Sequence, residues 1–137
     1  MDPSGTPSSS SASQRRRLWA PVVLYCAVIF ALSAVSAVPA LPGRMSDKAA
    51  HALLYAGLGF LAGRALAGGL GRPVTARVMV LVVAFCALYG LSDEIHQLFV
   101  PNREFDPKDM AADIAGGGFG LAVLWAWSTF RRSSDAI

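Results

Sequence analysis

Charged residues are scarce in this sequence. Only 15% of its 137 residues are Asp, Glu, Lys or Arg, whereas 54% are hydrophobic, and the mean hydropathy is +0.47. An ordinary soluble domain has about 25% charged residues, and a chain this short has a large surface to keep in water. The composition therefore argues against a soluble enzyme, a secreted domain or a nucleic-acid-binding protein. It predicts a chain that is largely buried in lipid.

Cysteine is nearly absent as well. The two cysteines, Cys26 and Cys86, both lie within apolar runs, and neither has a Cys or His nearby at the spacing of metal ligands. This pattern specifies neither a disulfide framework nor a zinc site. We interpret both as packing residues, because a free cysteine behaves like a small hydrophobic residue.

Long uncharged runs are the most prominent feature that is present. Residues 1–14 are rich in Ser and Pro, which predicts a disordered tail. Three arginines precede a run without charge from Leu18 to Gly43, and about 20 apolar residues are enough to cross a bilayer as a helix. A cleaved signal peptide is the competing interpretation, but the apolar region of a signal has about 7–15 residues. We expect one domain over residues 15–132 with spans at about 18–38, 48–68, 78–100 and 110–130.

The basic residues predict how the bundle is oriented. If the N-terminus is inside, eight arginines lie on the inner side and four basic residues lie on the outer side. Inner loops of membrane proteins carry an excess of Lys and Arg, so the ratio favours an N-in, C-in orientation. We therefore expect an all-α membrane protein, a four-transmembrane-helix bundle. The same distribution explains the basic character of the chain without a nucleic-acid partner.

The acidic residues gather at one end of this predicted bundle. The second span begins there, the third ends there and the fourth begins there, because consecutive spans run in opposite directions. Seven of the nine acids and both histidines belong to this group: Asp47, His51, Asp93, Glu94, His96, Glu104, Asp106, Asp109 and Asp113. Ionisable residues within a membrane are costly, which makes them candidates for function.

Helical spacing assigns these residues to faces. Residues three or four positions apart share one side of a helix. The third span thus groups Asp93, His96 and Gln97; the second groups Asp47, His51 and Tyr55; the fourth groups Asp109 and Asp113. Asp106 followed by Pro107 is typical of a helix N-cap with proline at the first helical position.

Several kinds of chemistry fit the cluster. We expect catalytic acid or base groups at His51, Asp93, Glu94 and His96. We expect anion or substrate binding at Lys48, Gln97, Arg103, Asp109 and Asp113, in which the two cations hold a phosphate or carboxylate. A divalent ion held by Asp93, His96, His51 and Asp113 is an alternative, although no zinc motif is present. A buried salt-bridge network that only ties the helices together is the other alternative.

Glycines at a spacing of four predict where helices pack closely. Gly59 and Gly63 lie in the second span, and Gly116 and Gly120 lie in the fourth. Small residues at this spacing let helix backbones approach each other in lipid. We interpret them as packing within one bundle rather than as a motif for dimerisation; the sequence leaves the oligomeric state open.

The segments DKAAHALLYAGLGFLAG and LSDEIHQLFVPNREFDPKDMAADIAGGGFG resemble the VanZ-like family of small bacterial membrane proteins. The resemblance covers Asp47 to Gly120, about half of the chain. The family's polar signature falls on Asp47, Lys48, His51, Asp93, Glu94, His96, Gln97, Arg103, Asp106 and Asp109. Asp113 stands where the family usually has asparagine, which adds a negative charge.

This resemblance implies a multi-pass protein of the bacterial plasma membrane, and the family's namesake is associated with resistance to teicoplanin. Together with the polar cluster it suggests a cell-envelope protein with an outward-facing pocket, which binds or modifies a lipid-linked or peptidoglycan-related component. There are two alternatives. One is a small transporter or ion-handling subunit, since intramembrane Asp and His also build proton relays. The other is a structural assembly factor. The resemblance supplies no reaction, and the sequence does not identify a metal or another cofactor.

Overall fold

The protein is a bundle of four helices. The computed structural model describes residues 9–35 and 47–134. The helices are α1 (Ser9–Ser33), α2 (Asp47–Ala67), α3 (Ala76–Gln97) and α4 (Pro107–Ser134), and these described ranges contain no β-strand. All four helices are long and apolar enough to cross a membrane. The prediction of an all-α, four-span membrane protein is confirmed.

The helix ends differ from the predicted ones mainly in α1. This helix begins at Ser9, so residues 9–14 extend the helix instead of belonging to a disordered tail. The residues of that segment are tolerated in helices, and an existing helix grows more easily than a new one nucleates. Residues 1–8 of the expected tail, and the segment 36–46 in which the first span was expected to end, lie outside the described residues. The other three helices start and stop within four residues of the predicted bounds.

Helices α2 and α4 are in direct backbone contact. A Cβ atom added at Gly116 would collide with the carbonyl group of Ala52, and one at Gly120 would collide with that of Ala56. Only glycine lets two helices approach this closely. The expectation that these glycines pack within one bundle agrees with this contact, which fixes the register of α2 against α4.

The centre of the bundle is apolar, and so is much of its surface. Leu58, Val82 and Leu124 are fully buried, and Cys86 lies among them as a free thiol. Large side chains such as Phe119 point outward and are exposed. An apolar surface of this kind is the one that a lipid bilayer covers.

The polar residues concentrate at one end of the bundle. There α2 begins with Asp47, α3 ends with Gln97 and α4 begins with Pro107. We refer to this end as the polar end. Buried there are the side chains of His51, Asp93, Glu94, Gln97, Asp109 and Asp113. The structure thus brings the predicted cluster together at the polar end.

Candidate functional site

Asp106 fixes the start of α4. Its Oδ1 atom accepts a hydrogen bond of 2.9 Å from the backbone N–H of Lys108, and Pro107 is the first residue of the helix. The predicted N-cap is therefore confirmed. The backbone N–H of Asp106 in turn donates to Oε2 of Glu94 over 2.8 Å. Glu94 is fully buried at the end of α3, so its carboxylate links the end of one helix to the start of the next.

Lys48 links α2 to the same place. Its Nζ atom donates to Oδ2 of Asp106 and to Oδ1 of Asp109, each over 2.8 Å. The Lys48 ammonium, together with the backbone N–H of Lys108, holds the pKa of Asp106 below its ordinary value. Lys48 was expected to bind an anionic ligand, but here it is engaged by two carboxylates. We define Lys48, Glu94, Asp106 and Asp109 as the α4 clamp.

His51 and Asp113 form a buried pair between α2 and α4. His51 Nδ1 lies 2.9 Å from Asp113 Oδ1, and the two residues are 8% and 0% exposed. A carboxylate only accepts hydrogen bonds, so the imidazole donates its Nδ1–H and keeps Nε2 as its basic nitrogen. A Cβ at Gly90 would lie 2.8 Å from Asp113 Oδ2. The glycine on α3 therefore leaves room for this carboxylate.

A cavity of about 190 Å³ lies beside this pair. Its polar wall consists of Asp47, His51, Tyr55, Asp93, Gln97 and Arg103 together with Ser33. Its apolar wall consists of Ile29, Leu32, Val35, Ala50 and Leu54. Ile29 and Leu32 of α1 and Val35, two residues after its end, provide most of the apolar wall. A cavity with one polar and one apolar side suits a molecule that itself has a polar and an apolar part.

The charged groups of the cavity are only loosely paired with each other. Arg103 Nη1 lies 3.6 Å from Asp47 Oδ2, and Gln97 Nε2 donates to Asp93 Oδ2 over 3.5 Å. Both distances are long for a direct hydrogen bond. These side chains can therefore exchange their present partners for a bound ligand at small cost.

Tyr55 was placed on the same face as Asp47 and His51 from the sequence, but without a role; in the structure it lines the cavity. It is 1% exposed, and its hydroxyl has no hydrogen-bond partner among the described residues. Buried hydroxyl groups are normally paired, so each exception calls for an explanation. Tyr55 follows His51 by one helical turn, and this spacing placed it on that face; its unpaired hydroxyl is visible only in the structure.

His96 does not line the cavity. Its ring stacks on Phe30 of α1 with 4.2 Å between the ring centroids. Glu94 is also absent from the cavity wall, because it faces the start of α4. Of the four residues expected to provide acid or base groups, His51 and Asp93 line the cavity, whereas these two lie outside it.

The metal-ligand set proposed from the sequence also differs from the one the structure brings together. Over residues 47–134, where all these candidates lie, the residues whose ligand atoms converge within 4.8 Å are Asp47, His51 and Asp109. Asp93 and His96 are not part of this group, and neither is Asp113, which contacts Nδ1 of His51. Spacing along one helix could not show how α2 and α4 are rotated towards each other.

The sequence matches a family model over nearly its whole length. The model describes the VanZ/LLP1 family and covers residues 6–131, which include every residue of the cavity wall. The chain belongs to this family. No curated protein and no solved structure matches the chain significantly.

Proposed function

We propose that this member of the VanZ/LLP1 family binds the anionic headgroup of a lipid-linked cell-envelope component in its cavity and modifies it by proton transfer at His51. One observation carries the proposal. The buried His51–Asp113 pair lies beside a cavity that has a charged wall and an apolar wall.

The shape of the cavity favours an amphiphile. Leu32 and Val35 provide apolar contacts for the first part of a lipid chain, and Arg103 provides a guanidinium group for a phosphate or carboxylate. A volume of about 190 Å³ accommodates a headgroup and the start of a chain, while the remaining chain stays in the bilayer. A lipid-linked molecule meets these conditions, whereas a small soluble metabolite has no apolar part to contact the apolar wall.

The polar end faces the outside of the cell in this proposal. Eight arginines belong to the segments predicted to lie on the inner side. The basic residues that the structure describes at the polar end are Lys48, Arg103 and Lys108. This asymmetry supports an outward-facing polar end. The ligand then enters from the outer leaflet, where precursors and acceptors of envelope polymers are found. The association of the family's namesake with teicoplanin resistance points to the same class of molecules.

The chemistry follows from the His51–Asp113 pair. Asp113 holds the imidazole by its Nδ1–H and stabilises the imidazolium that forms when Nε2 accepts a proton. The proton comes from a hydroxyl group or a water molecule in the cavity. The resulting oxygen nucleophile attacks the phosphorus of a phosphate ester in the headgroup, the bond from phosphorus to the leaving oxygen breaks, and the imidazolium returns the proton to that oxygen. Arg103 binds the anionic group of the ligand and gives up its long contact with Asp47. Asp93 and Gln97 orient the polar part of the ligand.

Lipids that remain bound to the protein test this function. The protein is extracted with its surrounding membrane in polymer nanodiscs, and its lipids are compared with those of the bulk membrane by mass spectrometry. We expect enrichment of one anionic lipid class in the wild type, at least fivefold less enrichment in Arg103→Gln, and the wild-type level in Lys108→Gln. Lys108 is the matched control because it is a cation at the polar end that lies outside the cavity wall.

His51→Asn separates binding from modification. Asparagine still donates a hydrogen bond to Asp113 but cannot serve as a base, so the unmodified lipid should accumulate on this variant above the wild-type level. Equal lipid composition in the wild type, Arg103→Gln and Lys108→Gln would contradict the proposed binding site. Equal occupancy in the wild type and His51→Asn would contradict proton transfer at His51.

The α4 clamp favours a structural role for part of the cluster. Lys48 and Glu94 hold the start of α4, and this contact needs no ligand. If the whole cluster had only this role, Arg103→Gln would reduce the amount of folded protein in the membrane. We expect it to leave that amount unchanged.

A further inference from the structure

We propose that Asp47, His51 and Asp109 form a binding site for a divalent transition-metal ion. One ligand atom from each residue lies within 4.8 Å of the other two. Ligands that share one such ion are about 2.0–2.2 Å from it, which places them about 3–4.4 Å from each other. The three side chains thus need only small rotations to hold one ion.

The environment of His51 supports this site. Histidines that bind metals commonly donate their other ring N–H to a carboxylate, which fixes the ring and makes it a better ligand. Asp113 occupies that position, 2.9 Å from Nδ1, and leaves Nε2 as the ligand atom. Asp113 itself is fully buried, so the orientation of the imidazole is set before an ion binds.

Tyr55 provides an independent indication of a ligand. Its hydroxyl is buried without a partner among the described residues, and the side chain lines the same cavity as Asp47 and His51. An ion bound by three protein groups keeps further positions for water or a ligand oxygen. Such an oxygen would accept the hydrogen bond that the Tyr55 hydroxyl now lacks.

The charge at the polar end also favours a bound cation. Six carboxylates surround the site, and the cations that pair with them are Lys48 and Arg103. The carboxylates are Asp47, Asp93, Glu94, Asp106, Asp109 and Asp113. Four of them are buried: Asp93, Glu94, Asp109 and Asp113. Buried negative charge without a counter-charge is unfavourable, and a divalent ion would offset half of the formal excess of four at this end.

Lys48 and Arg103 compete with the ion but do not exclude it. Lys48 contacts Oδ1 of Asp109, and Arg103 lies 3.6 Å from Oδ2 of Asp47. Each carboxylate therefore keeps its second oxygen for a metal. Mixed imidazole and carboxylate ligands favour Mn²⁺ or Zn²⁺ over the all-oxygen sites of Ca²⁺ and Mg²⁺. The inference rests on the headgroup binding of the proposed function, because a bound ion would attract the anionic headgroup. It replaces only the base: with Nε2 of His51 bound to the ion, the ion instead of the imidazole would activate the hydroxyl group or water molecule.

Metal binding to the purified chain tests the inference without a substrate. The full chain in detergent is stripped with a chelator and titrated with Mn²⁺, whose free form is followed by electron paramagnetic resonance, or dialysed against Zn²⁺. We expect one ion per chain and an affinity at least tenfold lower in Asp109→Asn. Asp106→Asn is the matched control, since Asp106 contacts Lys48 over the same 2.8 Å but is not a ligand, and it should bind within twofold of the wild type.

Lys48→Met tests the competition and keeps all three ligands. Removing the ammonium frees Asp109, so the affinity for the ion should rise at least threefold; an unchanged or lower affinity would overturn the proposal. It is also overturned if the wild type binds no stoichiometric ion, or if Asp106→Asn and Asp109→Asn weaken binding equally. In those cases lipid enrichment by the wild type would still support the proposed function, with His51 as the base.

Discussion

The backbone contact between α2 and α4 predicts opposite effects for two neighbouring glycine substitutions. Gly116 lies against the carbonyl group of Ala52, whereas a Cβ at Gly118 would meet nothing within 4 Å. Both residues lie in the interior of the same helix. Gly118→Ala is therefore a control that changes the helix in the same way without changing the contact.

The magnitudes follow from two competing effects. Alanine in a helix interior is more favourable than glycine by about 0.5–1 kcal/mol, and Gly118→Ala should gain this amount. At Gly116 the added methyl group must separate two backbones, and overpacking costs about 1–3 kcal/mol. The upper end applies because a backbone carbonyl cannot rotate away as a side chain can. Gly116→Ala should therefore lose about 2 kcal/mol, so that the variants differ by about 3 kcal/mol.

Reversible unfolding in mixed micelles measures this difference. The protein is titrated with sodium dodecyl sulfate and followed by the fluorescence of its three tryptophans. A difference of about 3 kcal/mol corresponds to roughly a hundredfold change in the unfolding equilibrium. If Gly116→Ala were as stable as Gly118→Ala, the two helices would not be in backbone contact, and the register that brings His51 to Asp113 would be refuted.

Two further predictions concern the polar end. The pKa of Asp106 is lowered in the folded protein, so its ion pair stabilises the fold at pH values above the pKa of the unfolded state, about 3.9. This stabilisation is lost as the pH falls through the lower pKa of the folded state. The thermal stability of the wild type should thus exceed that of Asp106→Asn at pH 7, and the difference should shrink towards pH 3; a constant difference would contradict the ion pair. In intact cells, a membrane-impermeant thiol reagent should label Glu104→Cys but not Gly71→Cys, with the wild type as the unlabelled control; the reverse pattern would place the polar end inside.

Much of the fold could be predicted because lipid imposes simple rules. The length of an apolar run sets the length of a span, and antiparallel connection brings the start of α2, the end of α3 and the start of α4 to one end. The N-cap at Asp106 was predictable because its signal is local. The start of α1 at Ser9 was not, since the composition of residues 9–14 is compatible with both a tail and a helix.

The site could be predicted only in part, because spacing along a helix does not show what its face contacts. His96 lies three residues after Asp93 on the same side of α3. The two side chains nevertheless have different neighbours: His96 stacks on Phe30, whereas Asp93 lines the cavity. Glu94 carries the same kind of carboxylate as Asp93 but faces the start of α4. The convergence of Asp47 and Asp109 on His51 depends on the register between α2 and α4, which backbone contacts determine.

The least deeply packed helix provides the apolar wall of the cavity. Of the α1 side chains that the structure describes, only Val22, Ile29 and Ser33 are buried, whereas α2 and α4 are joined backbone to backbone at Gly116 and Gly120. Under the proposed function, a lipid that arrives from the membrane would therefore have to displace only α1. The His51–Asp113 pair lies between α2 and α4, so the movement of α1 would leave the orientation of the imidazole unchanged.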